Sequence, residues 1–270
     1  MMAEKPDTNT ALSTIYEPIG GTRAVFTGKS ADYAASRPGY PPGLFEMLRS
    51  VSPPENEAVV ADVGAGTGLL TAGLLEAGYR VVAVEPNAEM RAAADRQIGG
   101  VKGYRSVEGS AESLPIGVGS VSLITAAQAF HWFDVDRARA EFHRVLTSAG
   151  QVALIWNDRV LDDPIQMALD EVFLAYGGAK RTAVVARDQR SGVPRFFEPN
   201  PMRHYTFPNA QQLSREGLLG LVFSRSYIPA RTSMEGAAVA ERVGEIFYRH
   251  ATEGSVEIRY QTTATLGRLG

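Results

Sequence analysis

Apolar residues in this chain fall into short unbroken runs alternating with stretches in which they recur every three or four positions. The runs predict buried strands and the spaced stretches predict amphipathic helices. Ala58-Val-Val-Ala61 leads a first strand ending at Val63, followed by a helix from Leu69 to about Ala77. Arg80–Glu85 reads as a second strand, with a helix from Asn87 to about Gln97 that Asn87 can cap. Tyr104–Glu108, Val121–Ala126 and Gln151–Trp156 read as third, fourth and fifth strands. A helix from about Asp136 to Leu146 precedes the last of these and buries Ala138, Phe142 and Val145. Strand and helix alternate as parallel βαβ units require.

The pattern changes on either side of this block. Residues 1 to about 20 are polar, with Pro6, Pro18 and Gly20-Gly21, and read as a flexible terminus. Residues 21–50 read as a cap with turns, ending in a helix opened by Pro41-Pro42 that carries Leu44, Phe45 and Leu48. After the fifth strand, about 160–229 reads as an insertion covering a substrate. Ile165, Leu169, Val172, Phe173 and Tyr176 lie at helical spacing, and 177–200 is rich in Gly, Arg and Pro, as in a loop or lid. His204–Phe207 is a candidate strand and Leu213–Phe223 a helix. Thr232-Ser-Met-Glu235 fits a capping box before a helix carrying Val239, Val243, Ile246 and Phe247. Val256, Ile258 and Tyr260 alternate with charged and polar residues in a final strand.

Composition narrows the function classes. The chain has 270 residues, 44% hydrophobic, enough for one large α/β domain. Its net charge of −3, with no long basic run, argues against nucleic acid as a partner. It contains no cysteine, and its four histidines have no companions at ligand spacing, so a metal site is not expected. No signal-peptide core or membrane-length apolar stretch is present, so a cytoplasmic protein, monomer or homodimer, is expected.

Asp62-Val-Gly-Ala-Gly-Thr-Gly68 carries the chemistry. It lies between strand and helix, where Gly64, Gly66 and Gly68 permit a tight turn and close approach of a ligand to the backbone. The helix that follows offers its first N–H groups to an electron-rich partner. Glu85, at the tip of the second strand, suits a ribose diol. The spelling departs from the dinucleotide fingerprint, because Leu69 stands where the third glycine belongs.

Several motifs now converge on one family. The Asp62–Gly68 turn resembles motif I of class I S-adenosylmethionine-dependent methyltransferases. Val84-Glu85-Pro86-Asn87 resembles their acidic second-strand motif, and Gly109-Ser-Ala-Glu-Ser-Leu-Pro115 their third-strand motif. Tyr33-Ala-Ala-Ser-Arg37-Pro-Gly-Tyr-Pro41 and Ala127-Gln-Ala-Phe-His-Trp-Phe133 are similar to the small-molecule, type 11 branch, with its ubiquinone/menaquinone-type and trans-aconitate-type members. The resemblance covers roughly residues 26–156. It implies a Rossmann-like, doubly wound, seven-stranded sheet with one antiparallel strand, and S-adenosylmethionine at its carboxyl edge. Asp62 would then sit near the methionine end, with the backbone of Gly64, Gly66 and Gly68 beneath. Glu85 would take the ribose hydroxyls, Pro86, Asn87 and Met90 would shape the adenine edge, and Ser110, Ala111 and Glu112 would flank it. Gln128 would also contact the cofactor. Tyr33 and Arg37 either close over the methionine carboxylate or pack the cap.

The expected activity is methyl transfer to an O, N, C or S atom of a small molecule. A non-methylating relative that keeps the cofactor and a nucleotide-binding oxidoreductase are the alternatives. His131, just beyond the fourth strand, is the candidate general base, because a histidine titrates near neutral pH. Its other role is to hydrogen-bond a backbone carbonyl or shape the pocket floor, and Trp132 reads as pocket wall. Arg195, Arg203 and Arg225 are candidates for an anionic substrate, with solvated surface groups as the alternative reading.

Overall fold

The computed structural model describes residues 36–54, 58–185 and 190–270. Tyr33, the predicted flexible terminus and residues 21–35 of the predicted cap lie outside the described residues. Seven strands are present among the described residues: β1 Val59–Val63, β2 Arg80–Val84, β3 Tyr104–Val107, β4 Val121–Ala127, β5 Leu146–Arg159, β6 Met202–Leu213 and β7 Val256–Gly267. They form one sheet in the order β3-β2-β1-β4-β5-β7-β6. β1 to β5 are mutually parallel, and β7 runs antiparallel to both β5 and β6. The predicted doubly wound sheet with one antiparallel strand is therefore present.

The helices are α1 Pro42–Val51, α2 Leu69–Glu76, α3 Ala88–Ile98, α4 Val135–Val145, α5 Pro164–Val185, α6 Val193–Phe197, α7 Arg215–Phe223 and α8 Met234–His250. Pro42 opens α1, where its missing N–H has no helical partner to lose. Asn87 caps α3 by accepting from the N–H groups of Glu89 and Met90. One sheet face packs Val60, Leu123 and Ile155 against Leu44 and Leu48 of α1 and Leu74 of α2. The other packs Ile124, Leu154 and Trp156 against Phe142 of α4 and Phe196 of α6. A further apolar cluster joins α5, α7 and α8 to Leu213, Val256, Ile258 and Tyr260. The β5–β7–β6 register puts those strand residues at the sheet's carboxyl edge. Among the described residues no helix is long and apolar enough to cross a membrane.

Three sequence readings change. The 177–200 stretch is not a continuous loop. α5 continues through it to Val185, kinked at Gly178, whose φ of 52° suits glycine. Val193, Phe196 and Phe197 of α6 are then buried in the main core. Surrounding Gly, Arg and Pro masked three buried side chains in a five-residue helix. The 160–229 region also contributes β6, twelve residues long, so part of the expected insertion is sheet. Finally, Ser233 rather than Thr232 caps α8, accepting from Gly236 N–H at 3.0 Å. Glu235 sits in the first turn, where it meets the helix dipole.

Phe196 stacks edge-on with Phe130, Phe142 and Phe197 at centroid distances of 5.3, 5.6 and 5.2 Å. Phe196→Ala should therefore cost about 3–5 kcal/mol of stability in urea unfolding, the scale for an emptied aromatic core site. A loss under about 1 kcal/mol would put α6 outside the core.

Candidate functional site

The site grows from the ends of β1 and β2. Gly64, Gly66 and Gly68 have φ of 71°, 58° and 84°, a region L side chains rarely enter. The N–H groups of Gly64 and Ala65 donate to the Val84 carbonyl at 2.8 and 3.1 Å, so the turn folds back onto β2. The three glycines serve different neighbours. A Cβ on Gly64 would lie 2.6 Å from the Ala129 Cβ, and one on Gly68 would lie 3.0 Å from Ile98. A Cβ on Gly66 would meet nothing within 4 Å. Gly66 is thus the glycine beside open space, and Gly64 is the one that lets the turn after β4 approach. Between Gly66 and Gly68, Thr67 is 1% exposed, and its hydroxyl has no hydrogen-bond partner among the described residues.

Glu85 closes the turn. Its Oε2 accepts from Gly66 N–H at 3.0 Å and its Oε1 from Asn87 N–H at 2.9 Å. Burial raises its pKa, and those two N–H donors and the Arg91 charge pull it back. Arg91 in turn donates to the Glu85 carbonyl at 2.7 Å. Each carboxylate oxygen keeps lone-pair capacity for a ligand hydroxyl. Met90 and Ala111 are buried nearby in sequence order, Pro86 is half-buried, and Ser110 and Ser113 pair as an isolated antiparallel bridge. The Glu112 carboxylate accepts from Asp134 N–H at 2.9 Å, so it holds the entry to α4.

Asp62 lies behind the turn, 1% exposed, accepting from the hydroxyls of Thr71 at 2.6 Å and Thr125 at 2.8 Å. Burial pushes its pKa up to about 6, against the pull of the two hydroxyls and with a further push from the Glu85 charge. Neither threonine is marked by sequence pattern, because their convergence depends on α2 and β4 flanking β1.

The β4 end supplies the second half of the site. Gln128 is one of two non-glycine residues with positive φ among the described residues, at 55°. Its backbone N–H donates to Ile155 and its side chain to the Asn157 carbonyl, at 2.9 and 3.1 Å, which holds the uncommon conformation. Phe130–Trp132 then form one 3-10 turn. Phe130 is anchored edge-on against Phe133, Trp156 and Phe196. His131 and Trp132 are left half-buried with ring centroids 5.0 Å apart. Asn157, one strand over, donates to the carbonyls of Pro38 and Gly39, and Asn209 also donates to Gly39. Gln211 donates to the Ser36 carbonyl at 3.1 Å. These amides fix the segment carrying Arg37 over the ends of β5 and β6.

Other candidates lie apart. Arg195 pairs with exposed Asp136. Arg203 and His204 sit at the amino end of β6, level with Leu266 and Thr265 of β7, at the edge opposite the site. His143 is exposed on α4.

A family model described as a methyltransferase domain matches residues 61–154. An uncharacterized methyltransferase of Mycobacterium tuberculosis (strain H37Rv) is 31% identical over 248 residues, spanning 88% of this chain and 92% of that protein. A ubiquinone/menaquinone biosynthesis C-methyltransferase of Rubrivivax gelatinosus is 34% identical over 109 residues, covering 39% and 41% of the two chains. A solved chain from Anaeromyxobacter dehalogenans, described as a candidate type II methyltransferase, superposes with a TM-score of 0.62 at 25% identity. That match covers 86% of this chain and 97% of the other.

The raised pKa of Asp62 has a signed consequence for stability. Below its unfolded value near 3.8 the group is protonated in both states and exacts no charge-burial cost. As pH rises toward about 6 the unfolded chain ionises first, so stability is lost, by about 3 kcal/mol once the folded carboxyl also ionises. Urea midpoints measured at about pH 4 and pH 7 should therefore differ less in Asp62→Asn than in the unmodified protein. An equal difference in both would mean that Asp62 is ionised throughout.

Proposed function

The chain belongs to the class I S-adenosylmethionine-dependent methyltransferases, and from that premise we propose that it methylates a small molecule held beneath α5, α7 and α8. The open space at Gly66, beside the Glu85 carboxylate and the unpartnered Thr67 hydroxyl, carries this reading. These groups fit S-adenosylmethionine. Glu85 would take the ribose hydroxyls on the lone pairs that its backbone donors leave unused. Asp62 and the turn above it would lie toward the methionine end. Met90 and Ala111 would supply apolar walls for adenine. Tyr33 and Arg37 belong to the segment expected to close this end.

When bound, that group supplies an electrophilic methyl on a sulfonium. The protein's share is positioning and exclusion of water. The 3-10 turn after β4 would present His131 and Trp132 to the acceptor, backed by the fixed Phe130–Phe196 stack. Holding a nucleophile in line can contribute up to roughly 7–11 kcal/mol in the best intramolecular cases. His131 would remove a proton if the acceptor atom carries one. The choice among O, N, C and S atoms follows from which acceptor fits.

Cofactor binding tests the first half. Calorimetry should give a dissociation constant for S-adenosylhomocysteine near 1 μM, about −8 kcal/mol. Gly66→Val should abolish it in a folded protein, because the side chain occupies the ligand's space. Glu85→Ala should weaken it by about 1.5–3 kcal/mol. NAD binding without S-adenosylhomocysteine binding would overturn the assignment. Gly64→Val is a poorer probe, since its side chain collides with Ala129.

His131 tests the second half. As a general base, its replacement by Ala should lower turnover about 10²–10⁴-fold at unchanged cofactor affinity, read as S-adenosylhomocysteine release with an active acceptor. His131→Gln should fail equally, because an amide takes no proton at neutral pH. Rescue by Gln would reduce His131 to orienting the acceptor. Full activity of the Ala variant would favour an acceptor already ionised.

A further inference from the structure

Tyr260 presents a group that its own fold does not use. It lies on β7, paired with Arg159 of β5 and Asn209 of β6, at the carboxyl edge of the sheet. The side chain is 5% exposed, and its hydroxyl makes no hydrogen bond among the described residues. Phenylalanine would fill the same apolar space without stranding a polar atom, and a stranded buried hydroxyl lowers stability.

Arginines gather at this end of the sheet, where Arg159 is the β5 partner of Tyr260. Arg225 and Arg159 place their guanidinium carbons 4.6 and 5.4 Å from the centroid of the Phe173 ring on α5. Arg225 is set by the turn that ends α7, where its N–H donates to the Val222 carbonyl. Arg37 arrives on the tethered segment before α1, with its Nε buried. Burial raises the Tyr260 pKa and Asp163 adds to the rise, while Arg225, Arg37 and Arg159 pull it down. Arg159 is committed to Gln166 and Asp170 on α5.

We propose that Tyr260 and Arg225 form a subsite that holds an oxyanion, carboxylate or phosphate, of the methyl acceptor. This extends the methyl-transfer reading and rests on it for the word acceptor. The subsite sits two strands from the β4 turn bearing His131, which suits a small molecule anchored at one end and methylated at the other. A guanidinium fork and a phenol O–H match the lone pairs of an oxyanion.

The test uses the full chain, with and without S-adenosylhomocysteine, titrated calorimetrically with benzoate, phenyl phosphate and neutral benzyl alcohol. One of the two anions should bind about tenfold or more tightly than the alcohol, and the tighter one names the group. Arg225→Gln should erase that preference. Tyr260→Phe, which removes one oxygen, should weaken the preferred anion about tenfold and raise the melting temperature of the free protein. The opposite signs mark a ligand-serving group, which a packing role would not produce. Equal binding of the three probes, a preference that survives both substitutions, or a lowered melting temperature in Tyr260→Phe would overturn the subsite. Absence of S-adenosylhomocysteine binding would overturn the methyl-transfer reading, while the anion titrations without it would still decide the subsite.

Discussion

Everything at the site depends on how the ends of β1 and β2 are tied together. The Val84 carbonyl receives two N–H groups of the glycine turn, and the Glu85 carboxylate receives a third, from Gly66. These bonds hold three residues at positive φ, which isolated chain would adopt only transiently. The tie also fixes Gly64 against Ala129, and so positions the turn after β4 relative to the one after β1. A glycine beside open space and a packing glycine thus sit two residues apart with different demands. The buried Asp62 lies beneath the same turn, held by Thr71 and Thr125.

The face proposed to hold the acceptor follows another logic. Its parts come from segments far apart in the chain: the β4 turn, the ends of β5 and β7, helices α5 and α7, and the segment before α1. Amides of Asn157, Asn209 and Gln211 bond to backbone carbonyls of residues 36–39, so strands order the amino-terminal segment. Asn157 is central, since it also accepts from Thr262 at 2.6 Å and its carbonyl receives Gln128. One residue thereby links the strained β4 end to the segment carrying Arg37. Buried polar groups of this kind are costly unless satisfied, which favours a single arrangement of the segment.

The sequence by itself determined the order of strands and helices through 156, the glycine turn, the Asn87 cap and the place of Glu85. Each is written locally, in apolar periodicity, in residues that permit positive φ, or in a side chain that caps its own helix. The motifs likewise pointed to the methyltransferase family, because they lie in consecutive strand ends. Only the tertiary structure decided the rest. The 177–200 stretch has loop-like composition, yet Phe196 and Phe197 are buried because α4 and the β4 turn offer a matching aromatic surface. That the Glu112 carboxylate accepts from Asp134 N–H, and so ties the third-strand motif to the entry of α4, was likewise not written locally. Thr71 and Thr125 meet Asp62 only after the sheet takes the order β3-β2-β1-β4-β5-β7-β6. Periodicity records which face of an element is buried; which distant side chain meets that face depends on strand order and register, and neither is encoded locally.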